Sequence, residues 1–164
     1  MARMSYKLFP ELIPLPLWRI SAYRALGRST PWKKIRKDTL ESASHKCQSC
    51  GSRKPLLSCH DKWRYDDKKR VAKLIGFEIR CALCHLATHI GRAAAIGYEK
   101  EAMQQLRKVN RCSNKEVELM IEIAMLDWRV RSAKKWKVIV SPSLLKRYPR
   151  LEAVPLQAKK ASPA

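Results

Sequence analysis

The sequence contains no long apolar run, no internal repeat and few acidic residues. No stretch approaches the roughly 20 consecutive apolar residues that a membrane-spanning helix needs. Lys7, Pro10 and Glu11 interrupt the N-terminal stretch, where a signal peptide would be continuously apolar. We therefore expect no membrane association and a cytoplasmic protein. The 164 residues suffice for one domain with its own core.

Basic side chains far outnumber acidic ones. Thirty-five Lys and Arg residues against 14 Asp and Glu residues give a formal net charge of +21. Counted along the sequence, residues 1–46, 47–92 and 93–164 carry +7, +6 and +8, so the charge is spread over the whole chain. Such a charge favours polyanionic partners. We expect DNA as the partner, with RNA as an alternative.

Proline spacing and hydrophobic periodicity divide the chain into four segments. Residues 1–44 are predicted to form an N-terminal arm with two helices, of which the second is basic. Residues 45–97 are predicted to form a small zinc-stabilised domain, and residues 98–150 a helical C-terminal extension. Residues 151–164 are rich in Ala, Pro and Lys, and we expect them to fray as a flexible tail.

The predicted elements indicate the α+β class. A helix is expected over residues 17–26, with Trp18 among its buried side chains. Short strands are predicted at residues 55–60 and 77–80, with an irregular polar stretch between them. One helix is then predicted over residues 82–96. Further along, Ser113 stands three residues before Glu116, which predicts a capping box at the start of a long helix.

Four of the six cysteines form two CxxC pairs, Cys47 with Cys50 and Cys81 with Cys84. The two-residue gap allows both thiolates of a pair to approach one ion, and four thiolates suit tetrahedral Zn²⁺. The alternative is four reduced cysteines placed by chance, which the repetition of the spacing disfavours. Because such a site has no open position, we expect a structural zinc on which folding depends.

Three of the four histidines lie near these pairs. His85 and His89 are four residues apart on the predicted helix, so both side chains project from one face and can bind a second ion. His60 ends the first predicted strand. The alternative interpretation is that these are three structural histidines without a common ligand.

This arrangement resembles the HNH nuclease motif, a ββα-metal fold in which a strand ending in His precedes a second strand and a helix with His-x-x-x-His. The resemblance covers residues 45–92 and lies in LLSCHDKWRYDD (56–67) and GFEIRCALCHLATHIG (76–91), bracketed by the CxxC pairs. It implies a zinc-stabilised ββα-metal core with flanking helices and a metal-dependent endonuclease that hydrolyses DNA phosphodiester bonds. The alternative is a zinc-stabilised nucleic-acid-binding protein with an inactive HNH-like site.

The resemblance also implies roles for single residues. His60 corresponds to the general base that activates water, and His85 and His89 to ligands of one divalent ion, which would be Mg²⁺, Mn²⁺, Ni²⁺ or Zn²⁺. The residue before the base usually completes the metal site. Here that residue is Cys59, a thiol that prefers Zn²⁺ to Mg²⁺, so Asp61 or His60 itself are the alternatives. The family's usual middle Asn is absent, since no Asn lies between His60 and His85.

Basic side chains around the motif are candidate contacts to nucleic acid. Trp63 and Tyr65 alternate with cations, a pattern that suits stacking on bases, although packing over the metal loop is the alternative. Arg80 and Arg92 flank the predicted helix, where they can reach a phosphate. The predicted nucleic-acid-binding residues are Lys62, Arg64, Arg80 and Arg92.

Overall fold

The structure is a computed structural model that describes residues 6–161. The strands are β1 Ser58–Asp66, β2 Val71–Arg80 and β3 Lys137–Val140. Short 3-10 turns lie at Leu15–Leu17 and Pro149–Glu152. The helices are α1 Ala22–Leu26, α2 Thr30–Ser42, α3 Ala82–Thr88, α4 Ile90–Ala95, α5 Glu99–Asn110, α6 Asn114–Ser132, α7 Pro142–Arg147 and α8 Ala153–Ala161. The predicted α+β class is confirmed, and across residues 6–161 no helix has the length and apolarity to span a membrane.

A three-stranded sheet forms the centre of the fold, with β2 between β1 and β3. β1 and β2 form an antiparallel hairpin, and β3 runs parallel to β2. The hairpin includes most of residues 61–76, so the prediction that these residues are irregular is wrong. Its strands alternate, and Trp63, Tyr65, Ala72 and Leu74 belong to the core on one face. The many charged residues between these positions obscured the alternation.

One hydrophobic core joins the sheet to both ends of the chain. Ile35 of α2 and Leu74 of β2 are fully buried in it, together with Leu151 and Val154 from the end of the chain. The prediction of a fraying tail is therefore wrong for residues 151–161. Leu151, Val154 and Ala158 follow a helical spacing that packs on this core, which the Ala- and Lys-rich composition concealed.

The predicted helix over residues 17–26 is shorter and begins later. Ser21 adopts an extended conformation, and its hydroxyl accepts a hydrogen bond from the Arg24 N–H, so α1 starts at Ala22. Trp18 lies outside the helix and is 70% exposed instead of buried.

A second core surrounds the cysteines and joins the N-terminal arm to α3–α6. Its buried residues include Leu8 of the arm, Ile90 of α4 and Leu106 of α5. The predicted capping box is confirmed, because the Ser113 hydroxyl accepts from the Glu116 N–H while the Glu116 carboxylate accepts from the Ser113 N–H. Residues from all four predicted segments contribute to these two cores.

Asp38 of α2 joins this helix to the end of α7 and makes the free energy of unfolding depend on pH. Hydrogen bonds from the Tyr148 hydroxyl (2.8 Å) and from Lys34 and Arg147 lower the pKa of Asp38 below its ordinary value of 3.8. A depressed folded-state pKa stabilises the protein above the ordinary value, and this contribution is lost as the pH falls through the folded-state value.

We therefore expect Asp38→Asn to lower the thermal midpoint at neutral pH, by an amount that shrinks as the pH falls below 3.8. Thermal unfolding followed by circular dichroism over a pH series tests this. A midpoint difference that does not change with pH would contradict the assignment.

Candidate metal centres

The first CxxC pair lies in a tight turn that is fixed to the sheet. The Gly51 N–H donates to the Cys47 carbonyl (2.8 Å), and Gly51 has a φ of +76°, a conformation that glycine adopts without strain. Gln48 then pairs with β2: its N–H donates to the Ile79 carbonyl, and its side-chain oxygen accepts from the Ile79 N–H. The turn is therefore held beside Cys81, which immediately follows β2.

The second CxxC pair lies at the start of α3, with Cys81 at the N-cap and Cys84 in the first turn. One ligand atom from each of Cys47, Cys50, Cys81 and Cys84 lies within 4.8 Å of the others. The four predicted zinc ligands therefore form one cluster, which is a possible zinc site. Three of them are buried, and only Cys50 is exposed.

The surroundings of these sulfur atoms favour thiolates bound to a cation. A hydrogen bond between Cys84 and Cys47 lowers the pKa of Cys47 and raises that of Cys84. Neighbouring thiolates repel each other, so without a cation between them the two thiols do not both lose their protons. The backbone N–H groups of Ser49, Cys50 and Cys81 also lower the pKa of Cys47. A four-thiolate ligand set with amide donors around it fits Zn²⁺.

A residue that the sequence analysis missed also contacts this cluster. Gln105 of α5 is buried, and its Nε2 donates to the Cys84 sulfur at 3.1 Å. The only signal in the sequence is a polar residue within the apolar stripe of α5, next to the fully buried Leu106. Such a residue needs a buried partner, but the sequence does not identify the sulfur as that partner.

The three histidines of the motif form a second cluster. One ring nitrogen from each of His60, His85 and His89 lies within 4.8 Å of the others, and the ring centroids are 4.9 to 5.4 Å apart. His60 is 7% exposed, and its Nε2 is buried without a hydrogen-bond partner. A buried nitrogen of this kind is costly unless it binds something.

The electrostatics of this cluster also favour a metal ion. Burial, with smaller contributions from the neighbouring histidines and arginines, lowers the pKa of His85 to about 4 and that of His89 to about 3. Both imidazoles are therefore neutral at pH 7, so a lone pair is free and no proton competes with a cation. The three side chains fit a divalent ion that accepts imidazole ligands.

The helix that carries His85 and His89 is not continuous, so the prediction of one helix over residues 82–96 is wrong. α3 ends at Thr88 and α4 begins at Ile90, with His89 between them at φ −100° and ψ 56°. The Thr88 carbonyl accepts a hydrogen bond from the N–H of Glu11 in the N-terminal arm (2.7 Å), not from the next turn. The His89 N–H still donates to the His85 carbonyl (3.1 Å), which preserves the spacing of the two side chains.

The same contact brings a carboxylate to the histidines. Glu11 Oε2 lies 3.7 Å from His60 Nε2, and the Glu11 side chain is 41% exposed. The arm is held on either side, by a hydrogen bond from Asn110 to the Leu8 carbonyl and by one from Trp128 to the Ile13 carbonyl. Sequence reasoning missed Glu11 because it lies 49 residues before His60 and belongs to no recognisable motif.

Cys59 and Asp61 do not join the histidine cluster. Successive side chains of a strand point to opposite faces, and both lie on the face of β1 opposite His60. Cys59 packs against the first core, where burial raises the pKa of its thiol to about 11. The Asp61 carboxylate accepts a hydrogen bond from the Ala22 N–H (2.8 Å) at the start of α1, and its pKa is raised to about 6 by burial. The structure therefore places neither Cys59 nor Asp61 among the clustered ligand atoms, which come from His60, His85 and His89.

The four predicted nucleic-acid contacts differ in accessibility. Arg80 is 6% exposed, because its guanidinium donates to Glu78 and Thr88 inside the protein, so its prediction as a surface contact is wrong. Lys62 is half-exposed and paired with Glu78 (2.5 Å). Arg64 and Arg92 are exposed. Trp63 and Tyr65 pack against the first core.

An open cleft runs past the histidine cluster. Its walls come from the N-terminal arm, β1 and the α3–α4 junction, so all three histidines face it. The lining is mixed, because exposed arginines and aromatic rings border it together with carboxylates. The lining includes Glu11, Trp18, Arg24, His60, His89 and Arg92.

Comparison with known proteins gives no match. No family model fits the chain, and no curated protein and no solved structure is detectably similar to it.

Proposed function

We propose that this protein is a metal-dependent endonuclease of the HNH type that hydrolyses phosphodiester bonds of DNA. The observation that carries the proposal is the convergence of His60, His85 and His89 on one side of a cleft in a strongly basic protein. A protein that needed only a structural zinc gains nothing from three imidazoles gathered in one cluster, in which the buried Nε2 of His60 has no hydrogen-bond partner.

The order of the elements supports the same proposal. An antiparallel hairpin, β1–β2, is followed directly by α3, and the four-cysteine cluster ties the hairpin to the start of that helix. His60 lies on the first strand, whereas His85 and His89 lie on and just after the helix. We assign β1, β2 and α3 to a zinc-stabilised ββα-metal core on this basis.

The chemistry required is stabilisation of charge on a phosphate and removal of a proton from water. A divalent ion, when bound by the three histidines, supplies Lewis-acid stabilisation of the phosphate. Of the two roles open to His60, its buried position among the other ligand atoms favours that of third ligand over that of base. Glu11 then becomes the candidate base, since its carboxylate lies beside His60 on the cleft wall and is accessible to water.

Substrate binding is assigned to exposed cations. Arg92 borders the cleft within one turn of His89, and Arg64 is exposed on β1. Contacts of this type go to phosphates and carry no sequence information. With a net charge of +21, we expect binding that weakens steeply as the salt concentration rises.

A zinc-stabilised nucleic-acid-binding protein with an inactive HNH-like site is the second candidate. The observation that favours it is the position of Cys59 and Asp61, which leaves the histidine cluster without a ligand from the residue beside His60. In that case the basic surface binds nucleic acid and the cleft performs no chemistry.

Plasmid nicking with a parallel gel-shift assay separates the two candidates. The zinc-loaded protein is incubated with supercoiled DNA in Mg²⁺, Mn²⁺ or Ni²⁺, and again without any added ion. Nicking that requires an added ion supports the endonuclease. A gel shift without nicking under any of the three ions would leave only the binding protein.

Glu11→Gln provides a test of the assigned base. We expect the cleavage rate to fall by about 10²- to 10⁴-fold, which is the usual contribution of a general base, while DNA binding and thermal stability stay unchanged. Single-turnover cleavage measured beside a gel shift gives both quantities. Glu152→Gln is the matched control, since it removes an exposed carboxylate elsewhere. Full activity of Glu11→Gln would return the role of base to His60.

A further inference from the structure

The longest helix, α6, is apolar on both of its sides. Its inner side carries Val117, Met120 and Ala124, all buried. The outer side carries four exposed apolar residues, which we call the outer stripe. An apolar face of a helix is normally covered by another element. Within residues 6–161, no element covers the outer stripe, because all four of its side chains are exposed. The outer stripe consists of Leu119, Ile123, Leu126 and Val130, which are 54%, 38%, 62% and 49% exposed.

The spacing of the outer stripe is that of a coiled coil. Its members follow each other at intervals of four, three and four residues, which places all of them along one narrow seam. Ile123 and Val130 occupy the a positions, and Leu119 and Leu126 the d positions. This combination of β-branched residues at a and leucine at d is found in two-stranded coiled coils. At 1.5 Å per residue, the seam is about 17 Å long.

The charge of α6 favours a second copy of this chain as the partner. In a protein of charge +21, α6 contains four of the 14 acidic residues and only three basic ones. Two copies therefore repel each other least where their α6 helices meet. A polyanion, in contrast, is attracted to the basic surfaces elsewhere and not to this helix.

The flanking charges determine the direction of pairing. Glu122 and Arg129 are exposed and lie on the same side of the outer stripe, at g positions. Antiparallel helices bring g positions together, so Glu122 of each copy faces Arg129 of the other. A parallel pair would instead place Glu122 opposite Asp127 of the second copy, which is a like-charge contact.

We propose that two copies of this protein associate through the outer stripes of α6, packed antiparallel about a two-fold axis. The interface is isologous, since each copy contributes the same residues and Glu122 pairs with Arg129 twice. No residue of α6 contributes to the cysteine or histidine cluster, so the proposal does not rest on the proposed nuclease activity. Its failure and that of the activity are measured separately.

Sedimentation velocity on the full-length, zinc-loaded protein tests the proposal. The experiment is run over a concentration series at high salt, where contaminating nucleic acid dissociates. We expect a dimer that dissociates on dilution. Leu126→Glu should weaken the dimer by at least about tenfold in Kd, because it places a charge in the seam. Its circular dichroism spectrum should stay that of a folded protein, because Leu126 is 62% exposed.

Leu156→Glu is the matched control, because Leu156 is 51% exposed on α8, outside the outer stripe. It should leave the dimer intact. A protein that is monomeric at every concentration would overturn the proposal, and so would a Leu126→Glu variant that dimerises as tightly as the wild type.

Charge exchange tests the direction of pairing without disturbing the apolar seam. Glu122→Arg should weaken the dimer, because it faces Arg129 of the second copy, and adding Arg129→Glu should restore it. If Glu122→Arg tightened the dimer, it would face Asp127 instead, and the antiparallel arrangement would be overturned.

Discussion

Replacing Cys84 by serine is expected to unfold the protein. Cys84 is fully buried in the second core and belongs to the four-cysteine cluster that joins the first CxxC turn to α3. A structural zinc contributes about 10–16 kcal/mol of apparent binding free energy. A domain has only about 5–15 kcal/mol of net stability. Losing one of four ligands therefore removes a share of the binding energy that the rest of the fold cannot replace.

Circular dichroism and zinc content measured on the purified variant test this expectation. The variant should contain less than one zinc per chain and show no cooperative thermal transition, and excess chelator should do the same to the wild type. Cys112→Ser is the matched control, since Cys112 lies outside the cluster and only packs beside the second core. A Cys84→Ser protein with unchanged zinc content and thermal midpoint would refute the four-thiolate site.

The second large effect is expected at His89. Replacing it by alanine removes one of the three imidazoles of the cluster, all of which are buried or half-buried. Because an outer-shell partner alone accounts for about 10- to 100-fold in metal affinity, loss of a direct ligand should cost about 100-fold or more. The cysteine cluster is untouched, so we expect the zinc content and the fold to persist.

Calorimetric titration of the zinc-loaded protein with Ni²⁺ or Mn²⁺ measures this affinity. The wild type should bind one ion beyond its zinc, and the His89→Ala variant should not bind measurably. His45→Ala is the matched control, because His45 is the remaining histidine and is exposed outside the cluster. Equal binding by His89→Ala and the wild type would show that the three histidines hold no ion.

Parts of both clusters were predictable because short spacing alone places Cys47 beside Cys50, Cys81 beside Cys84 and His85 beside His89. Two CxxC pairs and a His-x-x-x-His motif act through local geometry, in which a turn or one helical step sets the direction of the side chains. His85 and His89 lie together as predicted although the helix breaks at His89, because the His89 N–H still donates to the His85 carbonyl. Local motifs are therefore the part of this site that a single sequence conveys.

The residues that the sequence did not reveal reach the site from distant segments. Glu11 arrives with the N-terminal arm, and Gln105 with α5. Neither lies in a pattern that specifies its partner, because tertiary packing brings them there. The opposite error occurred at Cys59 and Asp61, which are adjacent to His60 in sequence but lie on the other face of the strand.

Charge also concealed part of the fold. The lysines and arginines of the hairpin made residues 61–76 look irregular, although Trp63, Tyr65, Ala72 and Leu74 pack on the core. The Lys- and Ala-rich end of the chain hid a helix whose Val154 is fully buried. In a protein of charge +21, composition is thus a poor guide to order, and the positions of a few apolar residues decide it.

The most direct test of the proposed nuclease is nicking of supercoiled plasmid by the wild type and by the His89→Ala and His45→Ala variants, at equal protein and Mn²⁺ concentrations. We predict that the wild type and His45→Ala nick the plasmid at similar rates and that His89→Ala does not, while all three shift the same DNA in a gel. Nicking by His89→Ala at the wild-type rate would place the activity outside the histidine cluster and contradict the proposed role of the three histidines.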